Sequence, residues 1–194
     1  MKTEAQLIND AKRGVRDALT RLVEIHSPRI YNLALRIMRN QEDAEDVLQE
    51  TFLIMMEKLD TFSGRSSLYT WLYRVATNVA LGKMREKKPF DPQVSIHDAG
   101  FETLSGSQIR DWPGQLENEL NSEGFNDCLR QAMEKLSENY RAVFVLRDLE
   151  GLSTRETAEV LNISEANVKV RLMRARLFLR DQLANHLNCV NRSG

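Results

Sequence analysis

The stretch that decides the fold runs from Leu152 to Arg180, LSTRETAEVLNISEANVKVRLMRARLFLR. It reads as helix, tight turn, helix. Ser153 caps the first helix, and Glu156, three residues on, reaches back to complete a capping box. Ala158, Val160 and Leu161 fall on one side of that helix, and Asn162-Ile163-Ser164 makes the turn. Ser164 caps a second helix that carries Lys169, Arg171, Arg174, Arg176 and Arg180, with no acid between Glu165 and Asp181. A short capped helix followed by a basic one is the build of a helix-turn-helix, which lays its second helix in the major groove of DNA.

At about 100° per residue, Val168, Leu172, Ala175 and Leu179 share one narrow stripe, the core side. Lys169, Arg176 and Arg180 line one flank, and Arg171 and Arg174 line the other. Opposite the core sit Ala166, Val170 and Met173, with Leu177 further along. Cationic edges suit the two phosphate backbones, and a small apolar face suits thymine methyls and close approach to base edges. The competing reading is a solvated amphipathic helix, but such a face more often mixes Glu with Lys and Arg.

Working outward, the 194 residues are 42% hydrophobic and 28% charged, which describes a globular chain of one or two domains. Gly and Pro are sparse and alternating apolar runs are rare, so the expected fold is all-α. The longest apolar runs, Phe52–Met56 and Ala142–Leu146, are too short to span a bilayer. The N-terminus has no apolar signal core, so a cytoplasmic protein without membrane contact is expected. Cys128 and Cys189 are isolated and His26, His97 and His186 are scattered, which predicts no metal site, no disulfide framework and no cofactor. No nucleophile–base pairing or phosphate-cradling glycine loop is present, so an enzyme is not expected.

The formal net charge of −1 hides an asymmetry. Residues 1–88 carry 15 Lys and Arg against 12 Asp and Glu, residues 89–124 carry 1 against 7, and residues 125–194 carry 11 against 9. Residues 89–124 also hold three of the four prolines and four of the nine glycines. This composition predicts a flexible acidic linker between two small helical domains, 1–88 and 125–194.

In the N-terminal domain, helical spacing predicts a first helix over 4–24. Ser27-Pro28 then reads as a cap and restart, with a second helix to about Arg39. A third helix, Ala44–Leu59, has Val47, Leu48, Phe52, Met55 and Leu59 as its core stripe. Its acids match the helix dipole in the first turn, but the ridge of Asp46, Gln49 and Glu50 continues beyond it and could meet a basic partner. After the loop Asp60–Ser67, a fourth helix spans about Leu68–Lys88, with Leu68, Leu72, Val75 and Val79 toward the core. Tyr69, Trp71, Tyr73, Arg74 and Asn78 lie on other faces, beside Phe62 and Arg65 of the loop. Aromatics interleaved with cations and an amide resemble a surface that stacks unpaired bases and holds a phosphate backbone. Taken singly, each aromatic also fits a core position. In the C-terminal domain a helix from Phe125 and another capped by Ser137 precede a stop of Schellman type at Gly151.

Four stretches in this order resemble bacterial extracytoplasmic-function sigma factors: Asp43–Phe52, Phe62–Asn78, Leu136–Ser153 and Val168–Arg176. The resemblance implies binding to core RNA polymerase and direction of it to a subset of promoters. It implies docking through Asp46, Gln49 and Glu50 on a basic coiled coil of the polymerase. Phe62, Arg65, Tyr69, Trp71, Tyr73, Arg74 and Asn78 would melt the −10 element and capture a flipped base. Ser164, Ala166, Asn167, Lys169, Val170, Arg171, Met173 and Arg174 would read the −35 element. The acidic linker would thread a basic channel of the polymerase. An anti-sigma factor would mask these surfaces, for which exposed Val170, Met173, Leu177 and Phe178 are suited. The alternative is a stand-alone helix-turn-helix regulator that binds duplex operators.

Overall fold

The computed structural model describes residues 2–87 and 123–190, with side chains placed over 2–86 and 127–183. Most of the expected linker, 89–122, lies outside the described residues. Among those described, the chain forms eight α-helices and no strand. An N-terminal bundle comprises α1 (Glu4–Lys12), α2 (Arg16–Met38), α3 (Gln41–Lys58) and α4 (Leu68–Lys87). A C-terminal bundle comprises α5 (Glu123–Glu134), α6 (Glu138–Phe144), α7 (Thr154–Leu161) and α8 (Glu165–Val190). In the first, α2 packs on α1, α3 and α4; in the second, α8 packs on α5, α6 and α7.

The predicted break at Ser27-Pro28 does not occur: α2 runs through it. Pro28 lacks the N–H that would bond the Glu24 carbonyl, but both residues are exposed, so water can take that acceptor. The neighbouring Ser27 hydroxyl donates to the Val23 carbonyl at 2.6 Å, tying the turn together. The break falls instead at Gly14, inside the predicted first helix. Gly14 adopts φ +84°. Its N–H donates to the Ala11 carbonyl at 2.9 Å and the Val15 N–H to the Asp10 carbonyl at 3.0 Å, a complete Schellman stop.

The remaining boundaries follow local chemistry. Asn40 caps α3 by accepting from the Asp43 N–H at 3.1 Å. The Ser67 hydroxyl accepts from the Thr70 N–H at 3.0 Å at the start of α4. After α6 the chain widens into a π-turn over Val145–Leu149. Gly151 then ends it at φ +71°, as expected. The Leu152 N–H reaches back to the Leu146 carbonyl at 3.0 Å, one residue further than in an ordinary Schellman stop, because the preceding turn is wider. The core holds the apolar stripes read from the sequence, with Val47, Met55, Leu72, Val168, Ala175 and Leu179 all at 0% exposure. No described helix is long and apolar enough to cross a membrane.

Space around Gly14 is open, with nothing within 4 Å of an added Cβ. Gly14→Ala should therefore cost only the left-handed backbone penalty, about 1 kcal/mol. Urea unfolding is expected to show a lower midpoint with an unchanged slope.

Candidate nucleic-acid interface

The helix-turn-helix is built as its sequence predicts. The Ser153 hydroxyl accepts from the Glu156 N–H at 3.1 Å, and the Glu156 carboxylate accepts from the Ser153 N–H at 2.8 Å. The Ser153 hydroxyl, then the Ser153 backbone, holds the Glu156 carboxyl below its ordinary value. The box adds stability above the ordinary carboxylate range and loses it as pH falls through the lowered value. Asn162 ends α7 in the left-handed region at φ 53°. Ser164 caps α8, accepting from the Asn167 N–H at 3.2 Å.

On α8, Val168, Leu172, Ala175 and Leu179 are buried. That rotation turns Ala166, Asn167, Lys169 and Arg174 outward, with Val170 at 43% and Met173 at 36% exposure. Arg171 is half-buried. The cationic edges are thinner than the residue types suggested. Arg176 donates through Nε and Nη2 to Asp148 at 2.8 and 2.7 Å, a bidentate pair that also raises its pKa. Arg180 pairs with Asp181 at 3.1 Å. Arg174 is exposed as a residue, and its Nη1 donates to the Tyr140 hydroxyl at 3.2 Å. Leu177 and Phe178 are half-buried, and Phe178 packs against the core.

The N-terminal bundle gathers the second set. Phe62 and Trp71 pack with centroids 5.7 Å apart, joining the loop after α3 to the first turn of α4. Lys12 holds this pair: its Nζ donates to the Phe62 carbonyl at 2.6 Å and lies 5.9 Å from the ring centroid. Arg74 and Asn78 are exposed, one turn apart, on the Trp71 side of α4, and Arg65 is exposed in the loop. Tyr69 is half-buried, with the Arg29 guanidinium 5.3 Å from its ring centroid. Lys12 and Arg29 were missed by the sequence reading, since neither lies near the aromatic stretch in the chain.

Tyr73 does not share this open face. It is fully buried at 0% exposure, its ring 4.1 Å from that of Tyr69, and its hydroxyl donates to Glu150 of the C-terminal bundle at 2.5 Å. One residue beyond Leu72, it is carried inward by the same turn of helix that buries Leu72 and Ala76.

The α3 ridge is exposed at Asp46, Gln49 and Glu50. It is not bare, because Lys83 of α4 sits 3.8 Å from Asp46 and 3.2 Å from Glu50. Leu53, at 56% exposure, and Met56, at 47%, extend the ridge along α3. Their spacing from Gln49, four and seven residues, was the signal that could have found them.

The sigma-70 region 2 family pattern matches residues 22–89 and the sigma-70 region 4 pattern matches residues 126–179. The chain is 37% identical over 177 residues to the ECF RNA polymerase sigma factor SigW of Bacillus subtilis (strain 168), covering 91% of this chain and 94% of that one. The chain belongs to the ECF sigma factors. This sigma factor is also 32% identical over 177 residues to the ECF RNA polymerase sigma-E factor of Escherichia coli (strain K12), across 90% and 91% of the two chains. The fold matches that of CnrH, solved with the cytosolic domain of CnrY, at a TM-score of 0.64 and 24% identity over 92% of this chain and 96% of that one. It also matches the sigma factor RpoE, solved with the anti-sigma factor NepR from Bartonella quintana, at 0.61 and 22% over 85% and 96%. As a member of this family, the sigma factor is a transcription initiation factor that acts with core RNA polymerase at promoters. The reading as a stand-alone operator-binding regulator is not favoured.

Two outcomes follow from the faces of α8 and α4. Arg174→Ala should weaken binding about uniformly across −35 variants, whereas Lys169→Ala and Val170→Ala should change base preference. Quantitative binding to a −35 library reads both; the opposite pattern reverses flank and face. Asn78→Ala should reduce open-complex formation, measured by permanganate reactivity, while polymerase binding holds. Equal loss of both would make Asn78 structural.

Proposed function

We propose that residues 1–88 bind core polymerase and melt the −10 element, that residues 125–194 read the −35 element, and that 89–124 tether the two. One observation carries this division. The chain presents two chemically different faces, each on its own bundle: a small apolar strip with cationic edges on α8, and exposed Arg74 and Asn78 beside Trp71 on α4. The first suits a duplex groove, read through Ala166, Lys169, Val170, Arg171, Met173 and Arg174, with Ser164 and Asn167 at the helix start. The second suits an unpaired strand: Phe62, Tyr69 and Trp71 supply rings, Arg65 and Arg74 cations, and Asn78 an amide. The acid-rich 89–124 segment suits a basic channel of the polymerase.

Asp46, Gln49 and Glu50 dock on a basic surface of core polymerase, with Leu53 and Met56 burying apolar area beside them. An anti-sigma factor holds the protein inactive by covering Val170, Met173 and the α4 face. Support comes from the exposure of those two apolar residues and from the partners in the CnrH and RpoE complexes. The protein acts in the cytoplasm as an initiation factor rather than as an enzyme, and uses no metal or cofactor.

The test is reconstitution. The chain should co-purify with core polymerase and support run-off transcription from its own promoters; failure to co-purify overturns the proposal. Reversing the ridge, Asp46→Lys with Glu50→Lys, should lower polymerase affinity at least tenfold without altering duplex −35 binding.

A further inference from the structure

Lys12 sits half-buried in the last turn of α1, and its ammonium reaches away from its own helix. Nζ donates to the Phe62 carbonyl at 2.6 Å, 50 residues along the chain, and lies 5.9 Å from the Phe62 ring centroid. A lysine at a helix C-terminus also suits the macrodipole. That attraction is met by the carbonyls of α1 itself and does not account for a bond to a carbonyl outside it.

Phe62 is where the hydrogen-bonded backbone ahead of the loop ends. The Thr61 hydroxyl donates to the Lys58 carbonyl at 2.7 Å, and the Phe62 N–H to the Leu59 carbonyl at 3.0 Å. Ser63, Gly64 and Arg65 then run exposed, with Gly64 at φ +73° and nothing within 4 Å of an added Cβ. The chain is caught again at Ser67, whose hydroxyl accepts from the Thr70 N–H at 3.0 Å. The Phe62 ring meanwhile packs on Trp71. Lys12 thus grips the one residue that both starts the exposed arch and braces the tryptophan. Lys12 is itself carried by a fixed helix. Leu7 is buried, α1 packs on α2, and Glu4 at the other end of α1 lies 2.8 Å from His26 Nε2.

We infer that Lys12 is a positioning residue for capture of the unpaired −10 strand. It fixes the upstream end of the arch over residues 63–66 and the tilt of the Phe62 ring, and so aims Arg65 and Trp71 at the strand. The inference rests on the reading of the α4 face as the −10 strand site. An arch anchored before the strand arrives does not have to be ordered by the strand, so less of the binding free energy is lost to ordering.

The test uses the full chain with core polymerase. Lys12→Met keeps an aliphatic stem and removes the donor and the charge. It should weaken holoenzyme binding to a single-stranded non-template −10 oligonucleotide about tenfold, the worth of one charge-assisted hydrogen bond. Open-complex formation should slow to match, with affinity for core polymerase and for a −35 duplex unchanged. Lys12→Arg, which can still donate to the carbonyl, should recover most of the loss. A Trp112→Phe background leaves Trp71 as the one tryptophan. Its quenching by acrylamide should rise in Lys12→Met as the Phe62 ring swings away. Unchanged strand binding in Lys12→Met overturns the inference, whether or not quenching rises. Equal loss of polymerase and strand binding also overturns it and makes Lys12 a support of the fold alone. If the unaltered chain binds the −10 strand no better than a scrambled one while quenching still responds to Lys12→Met, the reading of the α4 face is what fails, and the brace on Phe62 stands.

Discussion

The burial of one narrow stripe on α8 is the constraint from which the rest of the C-terminal half follows. Val168, Leu172, Ala175 and Leu179 fill the space between α5, α6 and α7. The two leucines alone are worth about 1.5–3 kcal/mol each when fully buried. Turning the helix by one residue would bring Lys169 and Arg176 to the core, where an unpaired charge is far more costly than any apolar gain. The rotation of α8 is therefore fixed by its hidden side, and its visible side has no freedom left. Ser153, Asn162 and Ser164 fix where α8 begins and at what angle it leaves α7.

These features were legible because each rests on interactions within a few residues. A capping box, a left-handed Asn and a 3.6-residue stripe are all local, so the chain announces them. The misreading of α1 and α2 has the same root. Ser27-Pro28 and Gly14 are both punctuation, and local chemistry ranks the proline as the stronger signal. The fold ranks them the other way: Ile30, Leu33 and Ala34 are buried in line with Ala18, Leu22 and His26, so one long helix covers the face of α3 and α4. Gly14 breaks the chain because α1 must turn back on α2, and His26 Nε2, 2.8 Å from Glu4, ties that return.

What was not legible is how distant groups pair. Counting cations on α8 overstated its edge, because Asp148, outside the helix-turn-helix, holds Arg176 from 28 residues away in sequence. The same limit applies to Tyr73. Its spacing from Tyr69 marked a possible stacking face, and only tertiary contact shows that it points at a carboxylate from the other bundle. Lys12 and Arg29 enter the aromatic cluster in the same way, from helices that the periodicity of α4 says nothing about.

Lys83 gives the α3 ridge a resident counter-ion. Any cationic surface that docks there must displace or share that ammonium, so docking is an exchange of one ion pair for another rather than the neutralising of a bare acidic patch. The net Coulomb gain of such an exchange would be small, which would leave discrimination to shape and to the apolar surface of Leu53 and Met56. A ridge that looks from composition like a bare acidic patch is already occupied by a cation of its own chain.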